Sequence, residues 1–224
     1  MRISKFIAHA GLCSRREAEK LIINRKVKIN EKLCEDLSYK VKDADKVVIG
    51  GKKINLQGSV NIYILNKPRG YITSKIGQKQ RKTVYDLLPK NKQNLITIGR
   101  LDYNTEGLLL FTNNGDIARE YELPKNKIKR TYRVKVFGSI KDSYIEKIKH
   151  GVKIDGITHK VDNITLIKKL KTNNWFKIEL SEGKNREIRK IFKKFDLTVN
   201  RIVRTNYGEY SIGKMKSGEF KKIK

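Results

Sequence analysis

Residues 98–114 read IGRLDYNTEGLLLFTNN, and their pattern is a strand that runs into a polar loop and out again into an apolar strand. Loops held between rigid strands are where functional side chains usually sit. Arg100 and Asp102 lie two apart in this loop. A guanidinium nearby would keep the carboxylate ionised and nucleophilic, although an ordinary turn with a surface ion pair has the same residues.

Outward from this segment the chain continues in strand-like runs: 62–65, 95–98, 108–112, 131–137, 164–167, 176–180 and 199–204. Two helical patterns interrupt them. Residues 141–150 end at Gly151, and residues 186–195 carry Ile188, Ile191, Phe192 and Phe195 at helical spacing. Strands with a few helices predict an α+β domain over 61–224, built on a mixed, mainly antiparallel sheet. Residues 1–50 read as a separate small α+β unit. Ile3, Phe6, Ile7 and Ala10 recur at helical spacing, and Gly11 suits the left-handed position that closes a helix. Ser14 and Glu17 form a capping box that starts a second helix, whose apolar stripe is Ala18, Leu21 and Ile22. Arg15, Arg16 and Lys20 lie off that stripe, and Lys26 and Lys28 point outward from an alternating strand, which makes a basic platform. The glycine-bearing stretch GGKKINLQGS places a linker at 51–60.

Lys+Arg number 52 against 23 Asp+Glu, a formal net charge of +29. Such an excess points to a polyanionic partner, because neutralising phosphates releases condensed counterions; heavy Lys, Ile and Asn usage throughout offers a compositional explanation beside it. Cys13 and Cys34 form no CxxC pair, His9, His150 and His159 lack metal-ligand spacing, and no apolar run approaches the roughly 20 residues of a membrane helix. The expectation is a cytoplasmic monomer with no membrane association.

Several motifs in order resemble one family. GRLDYNTEGLLLFTNNGD (99–116) is similar to the aspartate motif of the pseudouridine synthases of the RsuA and RluB family, and LNKPRGYITS, TVYDLLP, KRTYRVKVFG, WFKIELSEGKNREIRKIF and RIVRTNYGEY follow the family's order. RISKFIAHAGLCSRREAEKLI with VKIN after it resembles an S4 RNA-binding domain. The resemblance implies that the N1–C1′ bond of one uridine in ribosomal RNA is cleaved and C5 joined to C1′, with Asp102 as the essential carboxylate. It matches Tyr132 to the tyrosine that stacks on the uracil and is a candidate acceptor of the C5 proton, and Arg189 to the basic residue that pairs with the aspartate. Arg186 is the alternative to Arg189 and is otherwise expected to contact the RNA. A core tyrosine and a solvated helix arginine are the bland readings of those two positions. Arg100 matches the residue that fills the stack vacated by the flipped base, and Lys67, Arg69 and Tyr71 are expected to flank the RNA. In the N-terminal unit the expected RNA contacts are Arg2, Ser4, Lys5, Arg15, Arg16, Lys20, Lys26 and Lys28.

Glu106 departs from the family pattern, and its spacing from Asp102 is that of a possible second carboxylate for glycoside hydrolysis. The chemistry implied by the family needs no metal and no organic cofactor. Among family branches the motifs look most like RluB, which modifies 23S rRNA, with the 16S-modifying RsuA branch as the alternative. An inactive S4-type RNA-binding or assembly factor is the non-enzymatic alternative.

Overall fold

The computed structural model describes residues 1–56, 58–77 and 80–223. In the N-terminal unit, α1 (Ile3–His9) and α2 (Arg15–Ile23) pack on a four-stranded sheet of β1 (Val27–Ile29), β2 (Lys32–Leu33), β3 (Val47–Ile49) and β4 (Lys52–Lys53), ordered β2-β1-β3-β4. Gly11 has φ 78° and follows α1 as expected. The capping box forms: Ser14 Oγ accepts from the Glu17 amide at 3.3 Å and the Ser14 amide donates to Glu17 Oε2 at 2.7 Å, a device that contributes about 1 kcal/mol. Ile3, Ile7, Ala18, Ile22, Val27, Ile29 and Val47 form the core of this unit.

Two expectations for the first 60 residues need correction. Lys52 and Lys53 pair with Ile49 and Val48, and Ile54 packs against the N-terminal core, so the sheet extends into the segment expected as linker; residue 57 of that segment lies outside the described residues. Gly51, expected in the linker, has φ 77° and forms with Gly50, φ 56°, the two-residue turn that joins β3 to β4. Ser4, expected on the RNA-facing surface, is 2% exposed and accepts from Arg15 Nε at 3.5 Å, so it serves the unit's interior.

The second unit is built on a nine-stranded sheet. Its strands are β5 (Ile62–Lys67), β6 (Ile96–Ile98), β7 (Thr105–Thr112), β8 (Arg130–Phe137), β11 (Asn163–Lys168), β12 (Asn173–Leu180), β13 (Thr198–Tyr207), β14 (Tyr210–Ser211) and β15 (Phe220–Lys222). The path is β11-β12-β8-β13-β7-β5-β15, and the β13–β7 junction is parallel while the other neighbours are antiparallel. A hairpin of β9 (Val152–Ile154) and β10 (Ile157–His159) stands apart. The helices are α3 (Gly115–Glu122), α4 (Asp142–His150) and α5 (Glu187–Lys193).

Period-two alternation decides what each face buries. On one face, Leu109 and Phe111 of β7, Tyr132, Val134 and Val136 of β8, and Phe176 and Ile178 of β12 pack with Ile148 of α4 and Ile188, Ile191 and Phe192 of α5. On the other, Leu108 and Leu110 of β7 with Ile62 and Ile64 of β5 pack against Ala118 and Tyr121 of α3. That helix escaped the sequence reading because it is short and opens on glycine. Its signal was Asn114, whose side chain caps the amides of Asp116 and Ile117. Helix α3 also holds the two units together: Asp116 pairs with Lys5 at 2.7 Å, while Asn94 Nδ2 donates to the Gly11 carbonyl at 2.8 Å. Lys5, expected on RNA, has its charge committed to this contact.

Candidate active site

The loop after β6 is shaped by where its carbonyls go. Thr73 Oγ1 donates to the Leu101 carbonyl at 2.8 Å, Lys67 Nζ to that of Asp102 at 3.2 Å, the Gly70 amide to that of Tyr103 at 2.9 Å, and Arg189 Nη2 to that of Asn104 at 3.3 Å. The Asp102 carbonyl also receives the Thr105 amide at 3.0 Å, which closes the turn into β7. Four successive carbonyls are thus tied down by groups from three other segments. The Asp102 side chain is left exposed, with no hydrogen bond or ion pair to its carboxylate among the described residues. The ion pair that the Arg100–Asp102 spacing allowed does not form. Arg100 is exposed beside the loop.

Lys67 is the largest departure from expectation. It ends β5 with 0% exposure, and its ammonium donates to the carbonyls of Pro68, Asp102 and Thr105 at 3.1, 3.2 and 2.8 Å. It therefore fixes the aspartate loop from beneath rather than flanking RNA. Burial pushes its pKa down to about 8, against the pull of the Asp102 and Glu106 carboxylates. A depressed lysine pKa means the charged form costs stability at neutral pH. Between about 8 and the ordinary 10.5 the unfolded chain still holds a proton that the folded chain has released, so stability rises with pH through that window. Lys67→Met lacks this titration. Denaturation midpoints of the two proteins should therefore diverge in favour of the native chain as pH climbs through the window, and parallel curves would remove the buried-lysine account.

Arg189 lies on α5, half-buried, with Nη1 donating to the Val199 carbonyl at 2.8 Å and Nη2 to Asn104. The expected pairing with Asp102 is not made as a hydrogen bond or ion pair. Backbone carbonyls hold the guanidinium instead, close enough for Asp102 to act on it electrostatically. Burial, with the Arg186 cation, lowers the pKa of Arg189, and Asp102 opposes that shift. Arg186 precedes α5 at φ 51°, a left-handed conformation that costs a non-glycine residue about 1 kcal/mol, and remains exposed. Arg69 reaches the same loop, Nε donating to Asn104 Oδ1 at 3.3 Å.

Tyr132 is 9% exposed on the face of β8 that meets α5, and the register places it opposite Arg204 of β13, itself opposite Gly107 of β7. The aspartate loop, the tyrosine strand and the arginine helix thus converge on one end of the sheet. Beneath them, Arg204 is buried with Nε donating to the Leu108 carbonyl at 2.7 Å, and its guanidinium and that of Arg130 both lie on the Tyr207 ring, at 4.8 and 4.6 Å. No sequence signal distinguished these two arginines from the many on the surface.

Glu106 does not serve as a second catalytic carboxylate. It shares its face of β7 with Leu108 and Leu110, and both its oxygens are taken by Arg201, Oε1 by Nε at 3.1 Å and Oε2 by Nη2 at 2.7 Å. Arg2, Arg15, Arg16, Lys20, Lys26 and Lys28 are all exposed on the N-terminal unit, remote in sequence from this loop. Among the described residues no cluster of His, Cys, Asp and Glu has the arrangement of a metal site, and no helix is long and apolar enough to cross a membrane.

A strand-flanked carboxylate, a strand tyrosine and a helix arginine thus lie toward one end of a mixed sheet, and comparison with known proteins shows the class of enzyme to which the chain belongs. Residues 61–194 match the family model of RNA pseudouridylate synthase, and residues 1–48 match that of the S4 domain. A Rickettsia felis protein named as an uncharacterized RNA pseudouridine synthase is 42% identical over 99% of this chain and 96% of its own length. The ribosomal large subunit pseudouridine synthase B of Bacillus subtilis is 36% identical over 99% of this chain and 91% of its own. A crystal structure of a pseudouridylate synthase shares the fold, with a TM-score of 0.69 at 24% identity over 100% of this chain and 96% of that one. The chain belongs to the RNA pseudouridylate synthase family and carries an N-terminal S4 domain.

Proposed function

We propose that this enzyme converts a uridine of large-subunit ribosomal RNA to pseudouridine, with Asp102 as its essential carboxylate. The observation that carries the reading is the carboxylate of Asp102, without a partner among the described residues, on a loop whose four carbonyls from Leu101 to Asn104 are anchored by other segments. In the reaction the N1–C1′ bond breaks, the uracil turns, C5 bonds to C1′, the C5 proton leaves and N1 takes one up. Tyr132 stacks on the uracil, and Arg189, held by two backbone carbonyls, supplies fixed positive charge beside the carboxylate. The target must be turned out of its stack at a cost of a few kcal/mol, and the exposed Arg100 beside the loop is suited to fill the gap. Arg16 and Lys20 on α2, with Lys26 and Lys28 beyond it, form the phosphate-binding side of the S4 domain. The likeness to the large-subunit enzymes of Bacillus subtilis and Buchnera aphidicola, the latter 37% identical over 99% of this chain, favours 23S over 16S RNA.

The test is tritium release from C5-labelled uridine in separately transcribed large- and small-subunit RNA. Release from the large-subunit RNA alone is expected. Release from the small-subunit RNA alone transfers the reading to the other branch, and none from either leaves an RNA-binding factor. In the same assay Arg16→Glu with Lys20→Glu should raise the RNA concentration needed for half-maximal rate about tenfold without changing the limiting rate.

A further inference from the structure

Helix α3 covers one face of the sheet over β5, β6 and β7, and its Tyr121 reaches Tyr207 of β13 and Arg130 of β8 at the ends of those strands. Farther along β8, β12 and β13 the side chains of the same face are half-buried or exposed, and their chemistry is more than a solvated surface requires. Arg133 and Lys135 of β8 point away from Tyr132 and Val134, and the register sets Arg133 directly across from Lys177 of β12 and Lys135 directly across from Arg201 of β13. Like charges at opposed positions destabilise a strand pair. Glu179 takes Lys177 at 2.8 Å and Glu106 takes Arg201 at 2.7 Å, which neutralises two of these cations. Arg133 and Lys135 have no acidic partner among the described residues. Arg133 lies instead over the ring of Trp175, 5.4 Å from its centroid, and Trp175 stands opposite Lys135. Phe137, at the end of the same strand, is 48% exposed.

We propose that this open face is a second RNA-docking surface, in which Arg133 and Lys135 take backbone phosphates and Trp175 stacks on an unpaired base. The inference rests on the reading of RNA as substrate. Uncompensated cations around an aromatic ring on an open sheet suit single-stranded RNA, whose every base offers a face for stacking. An apolar protein partner would strip water from Arg133 and Lys135 without supplying countercharge. Because the face is turned away from Tyr132, the RNA it takes is a segment other than the one that carries the reacting uridine. Long substrates gain from it, and the chemistry does not depend on it.

Trp175 is the single tryptophan of the chain, so its emission reports this face alone. In the full-length Asp102→Asn protein, titration with deproteinised ribosomal RNA should quench that emission. Arg133→Glu with Lys135→Glu should raise the midpoint about tenfold and lower the slope of log affinity against log salt by about 1.5. Arg133→Gln with Lys135→Gln keeps the side chains near their native size and should shift the midpoint the same way by less, which guards against a reversal that disturbs the sheet. Tritium release by the native protein on the same RNA separates the two failures. Turnover with unquenched emission, or with midpoints unmoved in both variants, overturns the docking face and leaves the enzyme reading intact; absence of turnover overturns the enzyme reading itself.

Discussion

Asp102→Asn should lower tritium release by at least about a thousandfold while RNA affinity stays within about twofold of native. The two side chains have nearly the same shape, and the Asp102 carboxylate has no hydrogen-bond or ion-pair partner among the described residues to lose. What holds the loop is its backbone: the Asp102 carbonyl between Lys67 and Thr105, and the flanking carbonyls on Thr73, Gly70 and Arg189. The substitution leaves all of these in place, so the loss would belong to the reaction and not to folding. A variant with more than about a tenth of native turnover would mean that the carboxylate positions rather than reacts. Unfolding at the native midpoint is the control that makes the comparison valid.

The largest effect on stability should come from Gly107→Ala. Gly107 has φ 104°, which L side chains rarely adopt, and a Cβ built there would collide with the backbone oxygen and nitrogen of Arg204 across the parallel β7–β13 junction. Backbone cannot swing aside as a side-chain tip can. Strain at the residue and separation of the strands together should cost about 3 kcal/mol or more, read as a lowered denaturation midpoint. Because Arg204 in turn pairs with Tyr132, residual folded protein should also lose activity. A midpoint shift below about 0.5 kcal/mol would show that the junction opens without penalty and that the close approach is not needed.

Elements whose cause is local were readable along the chain. The Ser14–Glu17 capping box, the left-handed Gly11 after α1, the end of α4 at Gly151 and the alternation of β8 each depend on residues within one turn or one strand, so sequence spacing carries the physics. The aspartate motif was readable for another reason: several motifs far apart in the chain matched one family in order, although Arg100 and Asp102 by themselves left an ordinary turn equally open.

Burial and pairing partners were not readable, because they are set by which strands become neighbours. Lys67 looks like any surface lysine until β5 lies beside β7 and brings three carbonyls around its ammonium; Ser4 looks solvent-facing until α2 closes over it. Glu106 resembled a second catalytic carboxylate by spacing, and the parallel pairing of Val203 with Glu106 gives it to Arg201 instead. In residues 98–114 the alternation of apolar and polar residues was enough to place a carboxylate between two strands. Tertiary structure leaves this carboxylate without a partner among the described residues, because the hydrogen bonds that fix its loop come from β5, the segment after it and α5, and they go to backbone carbonyls and the Asn104 side chain.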